Sequence, residues 1–181
     1  MCMEYRQVKI FLSTFILTVV VICFSNRTIA QFQEIEVGIN GLTCSMCSYS
    51  VENSIKKLPY ISLVKMDLNK NIAQVYSEKG SSINFLEVAD RVKKSGFSVR
   101  YISFILSEDI KPIADGKFEL GGKQFLLLND TSGTLAKGTS LQLVGEAYLP
   151  KSELKKYTSK LSAEQKKKLH SDQIYFVIHE K

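Results

Sequence analysis

The sequence predicts an α+β protein built in two parts. Alternating strand-type and helix-type apolar spacing occurs twice between Gln31 and Leu106, and short apolar runs punctuated by glycine- and asparagine-rich turns fill the remainder. The composition agrees: 181 residues, 45% hydrophobic, with 10 Gly, 3 Pro and no Trp, suit one or two small domains and exclude disorder, collagen and coiled coil.

The elements follow in order. Ile35, Val37 and Ile39 alternate with Glu34, Glu36 and Gly38, the period of a half-buried strand. After the loop Asn40-Gly41-Leu42-Thr43, residues Cys47, Val51, Ile55 and Leu58 mark one face of a helix that Pro59 ends. Val64, Met66 and Leu68 alternate as a second strand, and Asn69-Lys70-Asn71 turns the chain into a third over Ile72 to Ser77. Ser81-Ser82 offers a cap for a second helix with Phe85, Val88, Ala89 and Val92 on its apolar face, and Gly96 stops it. A fourth strand runs from Ser98 to about Ser107. Strand, helix, strand, strand, helix, strand is the order of a ferredoxin-like βαββαβ sandwich, here over 31–107.

Residues 108–116, with Pro112 and several acids, read as a linker. In 117–181, Phe118 to Leu120, Gln124 to Leu128, Leu141 to Ala147 and Ile174 to Ile178 are strand candidates, while Lys151 to Lys160 and Ser162 to His170 read as helical. This pattern predicts a small, mostly-β domain, a partly open barrel of the oligonucleotide/oligosaccharide-binding (OB) type. It offers no catalytic set.

The N-terminus has Arg6 and Lys9, an uncharged apolar run from Ile10 to Phe24, and Ala30 at a position suited to peptidase cleavage. Fifteen residues fall short of the ~20 that a membrane-crossing helix needs, so residues 1–30 read as a secretory signal peptide, with an uncleaved anchor as the alternative. The expected location is the periplasm, in solution or tethered to a membrane facing it. The formal charge is +6, and the first thirty residues contribute three basic residues and one acid, leaving 21 against 17. That excess is too mild for a nucleic-acid reader, and the single run Lys166-Lys167-Lys168 reads as a solvated helix face.

Cysteines stand at 2, 23, 44 and 47, so removing the signal leaves one Cys-x-x-Cys pair. Its closed loop is too short to stabilise a fold as a disulfide, which leaves metal binding or redox chemistry. The pair lies in Gly41-Leu42-Thr43-Cys44-Ser45-Met46-Cys47, between a strand and a helix start. Gly41 permits the turn, Thr43 is placed to satisfy loose amides, and the spacing aims both sulfurs at one point. The helix N-terminus favours thiolate, with Cys47 in the first turn expected to gain most. Two thiolates with no nearby histidine or carboxylate in sequence select soft copper(I) or mercury(II); structural zinc prefers four ligands. Met46 is expected to face solvent or pack, Met66 to lie in the core, and His170 and His179 to be remote from the pair.

Gly-Leu-Thr-Cys-Ser-Met-Cys resembles the Gly-Met-Thr-Cys-x-x-Cys loop of heavy-metal-associated domains, the modules of copper chaperones, copper-transporting P-type ATPases and periplasmic mercury-binding proteins. The resemblance covers Glu34 to about Ser103, including Lys56-Lys57-Leu58-Pro59 and Lys94-Ser95-Gly96-Phe97. It implies Cu(I) held linearly by Cys44 and Cys47, with Hg(II) as the alternative and Zn(II) less suited, and ligand-exchange transfer to a protein partner such as a copper transporter or efflux component. It further implies that Phe97 sits near the metal loop, that Leu42 packs in the core, and that the chain is not an enzyme. A redox protein cycling the Cys44/Cys47 disulfide is the reading from a different class; thioredoxin-like sites place an aromatic before the first cysteine and proline within the pair, where this chain has Thr43 and Ser45-Met46.

Overall fold

A computed structural model describes residues 34–113, 116–129, 133–159, 161–169 and 174–179. The signal or anchor segment and His170 lie outside the described residues. Among the described residues no helix is long and apolar enough to cross a membrane.

The first six elements are β1 (Glu34–Asn40), α1 (Ser45–Lys56), β2 (Ile61–Asp67), β3 (Ile72–Ser77), α2 (Phe85–Lys94) and β4 (Ser98–Ile105), the predicted βαββαβ order. The remaining elements are β5 (Lys117–Leu120), β6 (Lys123–Leu127), β7 (Ser140–Val144), α3 (Lys151–Thr158), α4 (Ala163–Lys168) and β8 (Ile174–His179). The α+β class and the mostly-β C-terminal region thus agree with the sequence reading.

The barrel does not form. Among the described residues eight strands make one open sheet in the order β2-β3-β1-β4-β7-β8-β6-β5, with β2 and β5 at its edges. The joint is β4 with β7, antiparallel, pairing Ser103 with Gln142 and Ile105 with Ser140. The reason lies in the strand composition. Leu141, Leu143 and Val144, Phe125 to Leu127, and Phe176 to Ile178 are buried in continuous runs, which suits strands covered on both faces rather than a small barrel with one wet side.

Two apolar clusters occupy opposite faces, as the alternation of neighbouring strand residues requires. Ile35, Val37, Ile102, Phe104, Phe125, Leu143 and Val177 belong to the cluster under α1 and α2. Leu126, Val144, Phe176 and Ile178 belong to the other, closed by Leu154 of α3, Leu161 and Leu169. Aromatic contacts tie the two parts of the chain together: Phe85 of α2 meets Tyr175 of β8 at 5.3 Å between ring centres, and Phe104 meets Phe125 at 5.5 Å. Within 108–116, Ile110 is buried and bridges Leu135.

Side chains cap both α2 and α4, and the first differs from expectation. The N-cap of α2 is Asn84 rather than Ser81-Ser82; its Oδ1 accepts from the amides of Leu86 at 3.1 Å and Glu87 at 3.4 Å. Helix α4 opens with a full capping box, Ser162 with Gln165. Gly96 ends α2 at φ +88° as read.

Candidate metal centre

Strand β1 carries the chain up the middle of the βαββαβ half to a tight turn. Gly41 takes φ +87°, and a Cβ built on it would lie 3.8 Å from Cδ1 of Phe97, so the aromatic ring flanks the turn as the resemblance implies. Leu42 is buried and anchors the loop to the core. The neck is held by pairing of Asn40 with Ser98, whose hydroxyl accepts from Asn40 Nδ2 at 3.3 Å.

Cys44 is then the N-cap of α1, with extended backbone (φ −146°, ψ 158°), and its sulfur accepts from the amide of Cys47 at 3.3 Å. An N-cap side chain points back at the unpaired amides of the first turn, the place where a negative charge is best stabilised. Cys44 therefore holds the cap position that the sequence reading gave to Thr43, which is exposed. Buried Ser48 consolidates the turn, its hydroxyl donating to the carbonyl of Ser45 at 3.0 Å.

The two thiols are free and their sulfurs lie 2.6 Å apart, Cys44 exposed and Cys47 half-buried against the core. The hydrogen bond with the Cys47 thiol and the Cys47 amide lower the pKa of Cys44. The same thiol pair, with desolvation, raises that of Cys47. The pair thus favours thiolate at Cys44 rather than at Cys47, where the sequence placed the larger gain, because the sulfur–sulfur hydrogen bond lowers the pKa of the cap thiol and raises that of its partner.

The donor set fits one soft ion. Among the described residues no group of three or more His, Cys, Asp or Glu is clustered, so the pair stands without a third such ligand. A metal bridging two thiolates needs the sulfurs on the order of 4 Å apart for bonds of about 2.3 Å. To reach that separation Cys44, the exposed member of the pair, would have to swing its sulfur away from Cys47, which packs against the core. Met46 is 74% exposed, and Met66 is half-buried against the core, both in keeping with the sequence reading. His179 ends β8, its amide donating to Asn129 Oδ1 at 2.8 Å.

Topology adds what spacing could not. The Asn69–Asn71 turn reaches the same end of the sheet, where the Ile39 amide donates to the Asn71 carbonyl at 2.9 Å. Arg100, the extra residue where β4 slips register against β1 beside Gly38, donates from Nη2 to the Lys70 carbonyl at 3.0 Å. Arg91, Lys93 and Lys94 in the last turn of α2 come to this end as well. No pattern of alternation would have revealed Arg100, because a register slip arises only when strands pair.

Residues 36–98 match the model of the heavy-metal-associated domain. No curated protein matches the chain. Among solved structures, the N-terminal domain of PacS from Synechocystis PCC6803 is 24% identical, with 38% of this chain and 94% of that one covered and a TM-score of 0.33. A copper binding domain from HMA7, a P-type ATPase, is 25% identical over 38% of this chain and 90% of its own, with a TM-score of 0.35. Oxidized MerP from Ralstonia metallidurans CH34 is 21% identical over 37% and 92%, with a TM-score of 0.34. The strand order and the match over residues 36–98 define the fold of this half.

Proposed function

We propose that this chain, whose residues 36–98 form a heavy-metal-associated domain, binds one Cu(I) between Cys44 and Cys47 and passes it to a protein partner. The observation that carries the proposal is the division of labour within the pair: an exposed cap sulfur with a lowered pKa beside a half-buried one seated on the core. Two thiolates suit Cu(I), and suit Hg(II) when it is supplied; Zn(II) prefers a fuller tetrahedral set. Exposure of Cys44 lets an incoming partner thiolate bond to the metal while the bond to Cys44 breaks, with Cys47 holding the ion through the exchange. The metal's charge state does not change, and no step requires a catalytic residue. A copper transporter or efflux component is the partner this reading calls for, met on the periplasmic side if residues 1–30 direct export.

The test is an anaerobic Cu(I) competition titration of the reduced chain against a chromogenic chelator, beside Cys44→Ser and Cys47→Ser. One tight equivalent, lost in both variants, is expected. Weak binding, or binding indifferent to either serine, would overturn the proposal and turn attention to the reduction potential of the pair. Mercury capture is the outcome if Hg(II) is retained in a competition that strips Cu(I).

A further inference from the structure

The charge of this chain is unevenly placed. Residues 34–150 hold 13 basic and 13 acidic residues, whereas 151–169 hold seven lysines and two glutamates. That span is the α3–α4 hairpin, fastened to the sheet by Leu154, Leu161 and Leu169 and by Tyr157.

The exposed side chains of α3 are Lys151, Ser152, Lys155 and Lys156, joined by Ser159 at its C-cap. At 100° per residue they occupy one outward arc of about 140°. Its one acid, Glu153, lies off that arc and is only half-exposed. A helix face meant only for solvation ordinarily interleaves signs and gains from opposite charges four apart. Here the four-apart pair is Lys151 with Lys155, two like charges that weaken the helix slightly. Exposed Lys166 adds a further cation from α4.

We propose that the α3–α4 hairpin docks this protein on an anionic phospholipid bilayer. Charge complementarity supports it, since lysine clusters on an amphipathic helix are drawn to anionic headgroups. The type of cation supports a lipid surface over an acidic protein: all seven are Lys and none is Arg, which suits a fluid array of headgroups better than a fixed partner read by guanidinium forks. The position of the apolar run supports it too. Nine residues separate Phe24 from Glu34, a span of about 30 Å at full extension. The hairpin's apolar side packs against Tyr101, whose ring lies on Gly38 of the same strand that Glu34 begins. In the uncleaved, anchored form, a bilayer that receives the apolar run therefore lies within reach of the lysines. The proposal makes no use of the cysteines and stands or falls separately from metal binding.

The test is amine labelling of the full chain reconstituted in two kinds of vesicle, pure phosphatidylcholine and a mixture with about 40% phosphatidylglycerol. Labelling is read lysine by lysine by mass spectrometry, with exposed Lys79 as the internal reference. Lys151, Lys155 and Lys156 are expected to label about fivefold more slowly in the anionic vesicles, relative to Lys79, and to recover in about 0.5 M salt. The triple variant Lys151→Gln, Lys155→Gln, Lys156→Gln is expected to lose the protection of Lys166. Equal labelling in the two vesicles would overturn the proposal and leave the face to a soluble acidic partner or to solvent. Protection of Lys166 that survives the triple variant would also overturn it.

Discussion

Replacing Gly38 by alanine tests the packing that joins the βαββαβ half to the C-terminal half. Gly38 is buried in β1 and its backbone is ordinary strand, so the added methyl meets a steric obstacle and no conformational one. A Cβ there would press on Cε1 of Tyr101 and lie 2.6 and 2.9 Å from its Cδ1 and Cζ. Ordinary carbon contacts need about 3.5–4.0 Å, so the ring must retreat by about 1 Å. It is not free to do so. The Tyr101 hydroxyl donates to Glu36 at 2.6 Å, and the other side of the ring packs against the cluster closed by α3. Overpacking of this kind costs about 1–3 kcal/mol, and the strained hydrogen bond adds about 1 kcal/mol. Gly38→Ala should therefore lower unfolding stability by about 2–4 kcal/mol in urea denaturation. In a double-mutant cycle with Tyr101→Ala, the two changes should show a favourable coupling of about 1–2 kcal/mol, because the methyl then enters vacated space. A Gly38→Ala cost below about 0.5 kcal/mol, or additive effects, would refute the reasoning.

Four further outcomes are expected. Cys44→Ser keeps an N-cap acceptor and Cys44→Ala does not, so the alanine variant should be less stable than the serine one by about 1 kcal/mol in thermal or urea unfolding, although neither should bind metal. At about pH 7 limiting iodoacetamide should modify Cys44 before Cys47, since the lowered pKa gives Cys44 the larger thiolate fraction, and the preference should shrink as pH rises past both thiols; mass mapping reads the order. Burial, and then the bond to Glu36, push the Tyr101 phenol up to about 12. An unfolded phenol ionises near ~10, so its stabilisation is whole below that pH and fades as pH rises towards the folded value; the stability gap between wild type and Tyr101→Phe should narrow over that range. Deleting 108–181 bares the β4 edge and the rings of Phe85 and Phe104, each worth about 1.5–3 kcal/mol when buried. The shortened chain should unfold at lower urea or aggregate on size exclusion, and equal stability would count against a shared core.

The βαββαβ half was legible because its signals are local. Ile35, Val37 and Ile39 declare a strand by alternation, and Val88, Ala89 and Val92 declare a helix face, whatever the rest of the chain does. The C-terminal strands were legible as strands but not as a continuation of the sheet. Pairing of Ser103 with Gln142 joins residues far apart in sequence, and nothing in a short apolar run says which edge it will join. The buried runs at 125–127 and 176–178 did carry a hint, since continuous apolar strands ask for cover on both faces. The cysteine pair was readable from spacing, yet not the asymmetry within it. That depends on which residue leaves the helix for extended backbone, and the N-cap at Cys44 became evident only from its φ and ψ. Asn84 displaced Ser82 as a cap for a similar reason: the helix is capped two residues after Ser82, whose Oγ is buried without a hydrogen-bond partner.

The most direct test of the central claim is the copper coordination number in the full chain loaded anaerobically with one equivalent of Cu(I), read by X-ray absorption at the copper edge. Two sulfur neighbours and no nitrogen or oxygen, with the signal abolished in Cys44→Ser and Cys47→Ser, is the result predicted. Three or more neighbours, or nitrogen and oxygen donors that persist in the serine variants, would contradict a two-thiolate site at Cys44 and Cys47.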